Sequence, residues 1–314
     1  MAFSERYKQL FVRCALLFLA GTALQLYIGN VDVSLLSYPW NWVAVVNYLY
    51  VLILLYAKQD TIKCIKRIYD RPAYLTSLVS MLVLTLLFGL IPQNASIGGV
   101  IDLFGFNQMS SSWIFVFFLI HFMTVLGMKA IEDVHHWRKR PIPVVLIHTS
   151  FFIILVASVF GSGEKVRIRV TAVEGHPVSM GITDRGERVE LPFTILLKDF
   201  SLEEYPPAVH LLPDGSEVVM PRREVKEYLS DVEVWEGEEK HSFGIAVNRP
   251  ATIGSWKIYQ SGYDFSRGKN STISILECVK DGGYVAVYIA MWTILLSSVL
   301  MFIVGAKKRR EVKE

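Results

Sequence analysis

Apolar residues gather along the chain in six long runs, at roughly 10–28, 39–57, 74–92, 112–128, 142–160 and 284–304. At about 1.5 Å of rise per residue, each predicts a helix able to cross a hydrocarbon core of about 30 Å. Six crossings return both termini to one side. Between the fifth and sixth runs, over 161–283, the pattern changes from continuous to alternating. Lys165-Val166-Arg167-Ile168-Arg169-Val170 and Asp231-Val232-Glu233-Val234-Trp235 switch between polar and apolar at each step, the period of a half-buried strand. Turn signals separate such runs: Pro213-Asp214-Gly215, Glu236-Gly237, Asn248-Arg249-Pro250 and Lys280-Asp281-Gly282-Gly283. The expected fold is therefore an α-helical membrane bundle of six transmembrane helices with a mostly-β domain inserted between helices five and six. Its parts are 1–160, the first five helices; 161–283, a β-rich sandwich or open barrel; and 284–314, the sixth helix with a basic tail.

Composition supports a bilayer as solvent, with 52% hydrophobic residues and a mean hydropathy of +0.38. Charge then orients the bundle, because basic residues near span ends favour the cytoplasm. Arg6 and Lys8 precede the first run, and Lys58, Lys63, Lys66, Arg67 and Arg71 follow the second. Lys129, Arg138, Lys139 and Arg140 lie between the fourth and fifth, and Lys307, Lys308, Arg309, Arg310 and Lys313 form the tail. The alternate loops, 29–38 and 93–111, contain no Lys or Arg. Both termini are expected in the cytoplasm and 161–283 outside it. The net charge of +3 is a consequence of this topology and gives no hint of nucleic acid. No small-residue cleavage site follows a short apolar region, so the first run reads as a retained anchor.

Several chemistries lack their signatures. Cys14 falls in the first span, Cys64 in a cytoplasmic loop and Cys278 in the inserted domain, so no two share a compartment in a way that suggests a disulfide. There is no C-x-x-C, no C-x-x-C-H, no Gly-rich phosphate loop and no H-E-x-x-H pair. No catalytic residue is assigned. His176, His210 and His241 lie among polar and turn residues and read as surface positions, while His135 and His136 sit beside Trp137-Arg138-Lys139-Arg140 near the headgroups.

His121 and His148 differ, since both fall inside apolar runs, where a polar side chain is costly and marks a functional site by default. Counted from Lys129 and Pro141, each is about 10–12 Å deep at about 1.5 Å per residue, which predicts a shared depth on consecutive helices. Neutral imidazole ligates haem iron and also titrates near neutral pH. The pattern fits a bis-histidine site, a lone ligand with a packing partner, or a proton relay. The structural alternative is an imidazole bonded to a carbonyl or hydroxyl across the bundle. Trp256, Tyr259, Tyr263 and Phe265 read as sheet core rather than as a platform for a ring.

Segment 142–170, IPVVLIHTSFFIILVASVFGSGEKVRIRV, resembles the histidine-bearing span and exit sequence of the ResB/CcsB family of system II cytochrome c biogenesis proteins. Further resemblance lies in LPFTILLKDF at 191–200, Glu204-Tyr205-Pro206, IAVNRP at 245–250, GSWKIYQSGYD at 254–264, and the returning span. Over 1–139 it rests on span layout and on Gly105-Phe106-Asn107 followed by Ser111-Ser112-Trp113. The resemblance implies a subunit of the bacterial inner (cytoplasmic) membrane that moves haem b across the bilayer and presents it for covalent attachment to apocytochrome c. It would be a non-autonomous part of a holocytochrome c synthase-type complex, working with a CcsA-type partner and indirectly with a thiol-reducing one. The sequence ends at a basic tail with no second bundle and no W-W-D-like motif, so the unfused half is expected. By resemblance His148 matches the intramembrane haem-ligating position, and His121 matches no family ligand. Arg138 and Arg140 are candidates to meet the haem propionates, if they do more than orient the helix. Two other classes remain open: a scaffold that docks apocytochrome or partner subunits without haem, and a bis-histidine electron carrier.

Overall fold

A computed structural model describes residues 2–184, 186–211, 217–220 and 224–311. The Pro213-Asp214-Gly215 turn and Lys313 lie outside the described residues. The chain separates into two compact units, Met1–Glu164 with Gly283–Glu314, and Lys165–Gly282.

The first unit is helical. Its elements are α1 (Ala2–Ile28), α2 (Trp40–Lys58), the short α3 (Lys63–Lys66), α4 (Arg71–Leu90), the short α5 (Gly99–Leu103), α6 (Trp113–His135), α7 (Ile142–Phe160) and α8 (Tyr284–Glu311). Six of these are long and apolar enough to cross a membrane: Glu5–Ile28, Trp40–Lys58, Arg71–Leu90, Trp113–His135, Ile142–Phe160 and Tyr284–Ile303. They coincide with the six hydrophobic runs, and this is a multi-pass membrane protein.

One boundary differs in a way that matters. The fourth run was expected to end near residue 128, yet α6 stays helical to His135. Lys129 pairs with Glu132 and Asp133 at the i,i+3 and i,i+4 offsets that face each other on a helix, so charged residues prolong α6 instead of ending it.

α6 is also the hub of the bundle. Ile114, Phe118, Phe122, Met123, Val125, Leu126, Met128 and Ala130 are buried, which covers most of its circumference, whereas the other long helices each bury a few positions and present apolar faces outward. Burial all round requires neighbours to come close. A Cβ on Gly21 of α1 would stand 2.7 Å from the Ile114 Cα, so only glycine allows that crossing. Polar ties fix both ends of the bundle. Arg6 forks onto Asp70, the N-cap of α4, with Nε–Oδ2 and Nη2–Oδ1 both at 3.0 Å. At the other end Gln25 Oε1 accepts from the Trp113 amide at 3.1 Å.

The second unit is a sheet. Its strands are β1 (Val166–Val173), β2 (Pro177–Thr183), β3 (Arg188–Glu204), β4 (Ala208–Leu211), β5 (Glu217–Met220), β6 (Val225–Glu236), β7 (Glu239–Ala246), β8 (Ala251–Ile253), β9 (Trp256–Tyr263) and β10 (Ile273–Lys280). Eight form one antiparallel sheet in the order β7-β6-β3-β2-β1-β10-β9-β8, and β4-β5 is a separate hairpin. The outermost strands, β7 and β8, are consecutive in the chain and joined at a corner where the Ala246 and Arg249 backbones exchange bonds of 3.2 and 3.0 Å. The sheet therefore nearly closes on itself, which decides for the open barrel over the sandwich. Alternation along β1 puts Ile168 and Val170 inside opposite Cys278 and Leu276 of β10, and Leu191, Phe193, Ile195, Leu197, Val232 and Val234 complete the core. Trp256 packs on this core and Tyr263 is within it, but Phe265 is exposed, so the aromatic run is only partly sheet interior. Glu236-Gly237 does turn β6 into β7, with Gly237 at φ 63°.

Candidate functional site

The site begins with a carboxylate in an unfavourable place. Glu132 and Asp133 lie in the last turn of α6, where the helix dipole is negative and repels them, and Asp133 is only 1% exposed. A buried carboxylate without partners would cost several kcal/mol, on the order of the desolvation of a charged group. Three partners converge on it. Lys129 Nζ stands 3.3 Å and Arg140 Nε 3.4 Å from Oδ1, and His148 Nδ1 stands 2.6 Å from Oδ2. Neither cation is aligned for a hydrogen bond to Oδ1, so the bond from His148 is the directional one.

An ionised carboxylate only accepts, so Nδ1 carries the proton and donates. In the neutral ring the lone pair then resides on Nε2, and among the described residues nothing hydrogen-bonds to it. Lys129 and Arg140 already stand against Glu132 and Asp133, so the acidic pair has two cations beside it without the histidine. The Tyr74 ring of α4 approaches the imidazole edge-on at 6.0 Å, and the side chain of His148 remains 20% exposed. An imidazole held at one nitrogen and open at the other is the form in which histidine ligates a metal.

Beside this cluster, at the end of the bundle carrying the basic loops, is a cavity of about 840 Å³. Lys129, Glu132 and Arg140 line it together with His135, His136 and Tyr69. Burial, joined by Glu132, Tyr56 and Asp60, pushes the Tyr69 phenol up to about 12, so near neutrality it is a donor, here to Gln59. His135 and His136 are exposed, with ring centroids 4.8 Å apart.

The other expected residues separate from this centre. His121 is on α6, twelve positions before Asp133, which is about 18 Å of helix rise. The bond to Asp133 ties His148 to the last turn of α6, not to the turn that carries His121, and among the described residues no hydrogen bond or ring contact joins the two histidines. The shared depth inferred from loop counting is therefore not how α6 and α7 pack. Its error was the position of the α6 end: the count began at Lys129, whereas the helix runs on to His135. Arg138 lies over the Trp137 ring at 5.5 Å, whereas Arg140 belongs to the Asp133 cluster. Of the histidines outside the spans, His176 is exposed, and His241 is half-exposed near Glu239. The side chain of His210 lies outside the described residues.

Sequence reading missed Asp133. The signal was available as an acidic pair at the negative end of an otherwise apolar helix, a placement that helix electrostatics disfavours and that therefore calls for a partner. Among the described residues no group of three or more His, Cys, Asp or Glu side chains is placed to hold a bare metal ion. Residues 138–291, from the loop before α7 into α8, match the ResB-like family. No curated protein matches the chain.

Proposed function

The chain belongs to the ResB-like family over residues 138–291, and from that premise we propose that it serves cytochrome c biogenesis as a haem-delivery subunit. It takes haem b as cargo, carries it across the membrane and presents it for covalent attachment to apocytochrome c. The observation that carries this reading is the hydrogen bond from His148 Nδ1 to Asp133, which leaves Nε2 as a lone-pair donor inside an apolar span. A flat apolar ring with two propionates suits such a place, since the ring is buried among helices while its carboxylates reach the basic end. Arg140 and the cavity that it lines are at that end. Arg138, exposed beside Trp137, is the second cation within reach of a headgroup-level carboxylate.

In this reading the protein lies in the bacterial inner membrane with both termini in the cytoplasm. The β domain, held between spans five and six, stands outside. Covalent attachment adds two C-x-x-C-H thiols of the apoprotein across the haem vinyls, so the chain's share is to position and protect, while the thiols come from apocytochrome c kept reduced by another protein. A CcsA-type partner supplies the remaining iron ligand and completes the system II synthase, in which this chain has the CcsB-type role.

The test is purification of the full chain with and without a co-expressed CcsA-type protein, followed by visible spectra and by staining for covalent haem on a reporter cytochrome. Matured cytochrome only in the co-expressed sample, together with a Soret band in that sample, is expected. No Soret band in either sample favours a scaffold, and reversible electron transfer without maturation favours a carrier. Either outcome overturns haem delivery.

A further inference from the structure

We infer that Asp133 is a positioning residue for the ligand imidazole: through the Oδ2–Nδ1 hydrogen bond it fixes the ring and its tautomer and lends charge to Nε2, so that iron meets a stronger, pre-aimed donor. The inference rests on the haem reading of His148 and adds to it a residue from a different helix.

The arrangement asks for such a role because charge neutralisation does not explain it. Lys129 and Arg140 already answer Glu132 and Asp133, at 2.5 to 3.8 Å, without help from a histidine. Buried ion pairs contribute little to stability compared with apolar packing, and the negative end of α6 makes this acid costlier still. Yet its one directional bond, at 2.6 Å, is to the imidazole. The carboxylate itself is 1% exposed, so its geometry is set by packing and not by solvent. Lys129 and Arg140 stand nearest Oδ1, at 3.3 and 3.4 Å, whereas the ring bonds Oδ2. A carboxylate behind a ligating histidine raises ligand basicity and locks orientation, and its loss typically lowers metal affinity about 10–100-fold. Across α6 and α7 the same bond also makes haem affinity depend on how the two helices pack.

The experiment uses the full-length chain in detergent with added haemin. His148→Ala is first titrated alone, then with imidazole and with 1-methylimidazole. Both bases can ligate iron, but only imidazole keeps an N–H with which to reach Asp133. If Asp133 positions the ligand, imidazole restores the Soret band at concentrations about 10-fold or more below those of 1-methylimidazole, in line with the usual effect of a carboxylate behind a ligating histidine. That preference disappears in His148→Ala/Asp133→Ala, which has no acceptor left at this position. Equal restoration by the two bases, or by neither, overturns the inference. In the intact site Asp133→Asn keeps an acceptor but removes the charge, so the iron–imidazole stretching frequency falls and the haem reduction potential rises. An unchanged frequency and potential also overturn it. Should His148→Ala bind haemin as the parent does, the haem reading of His148 itself fails, which is a different result from equal rescue.

Discussion

A Cβ added to Gly127 would stand 2.7 Å from the Phe152 ring and 2.8 Å from Leu52 Cδ1, so α6 touches α7 and α2 at a point where only hydrogen fits. This contact lies about 9 Å along α6 from Asp133, at about 1.5 Å per residue, on the same pair of helices that the His148 bond joins. Replacing Gly127 by Leu is expected to overpack this contact at a cost of about 1–3 kcal/mol. The helices would separate next to the Asp133–His148 bond. Thermal unfolding of the detergent-solubilised protein should show a lowered midpoint, and haemin titration a weakened Soret band. A variant with the parent's midpoint and haem affinity would mean that the contact is more tolerant than its distances imply.

The two intramembrane histidines should behave unequally. His148→Ala is expected to remove bound haem and to abolish or greatly reduce cytochrome c maturation, because iron loses an axial ligand. His121→Ala should be mild, since His121 is on the far turns of α6 and its charged neighbour is Arg13 of α1. Spectra and haem staining of both variants, made side by side, check this. Equal loss in the two would restore the bis-histidine reading.

Orientation can be read with reporters that act only outside the cytoplasm. Fusions near Gly163 or Gly282 should be active, and fusions within 58–73 or after Lys308 should not. Activity at Lys66 would invert the bundle and move His148 towards the outer face.

The three thiols are all free, and they should react in order of exposure. Cys64 is exposed, whereas Cys278 faces the barrel core and burial, aided by Glu277, pushes its thiol up to about 12. At pH 8 in the folded protein a maleimide should label Cys64 and spare Cys278, which becomes reactive only on denaturation. The sign for stability follows. The folded barrel prefers the protonated thiol, so this contribution is complete below the ordinary thiol value of 9.0 and is lost as pH rises towards about 12. Cys278→Ala should weaken the alkaline fall in the barrel's denaturation midpoint, and an unaltered pH profile would show that the thiol is not its source.

Hydropathy and charge along the chain were enough to locate all six helices, because lipid demands a continuous apolar run whatever the neighbours are. The same local reading found β1, β6 and the β6–β7 turn, where strict alternation records one buried face. Lys129, Glu132 and Asp133 were beyond it: a charged turn looks like a loop in one dimension, and only the i,i+3 and i,i+4 pairing on α6 shows that it remains helix. That extension removed the shared depth of His121 and His148. Closure of the barrel was likewise invisible, since the meeting of β7 with β8 depends on accumulated sheet curvature and not on any residue's polarity. Sequence marked His148 as a polar group in an apolar run, but the rotation and offset of α6 against α7 are set by packing, at Gly127 among other places. Those two quantities bring Asp133 to His148 Nδ1, and so decide which nitrogen of the imidazole is engaged within the bundle.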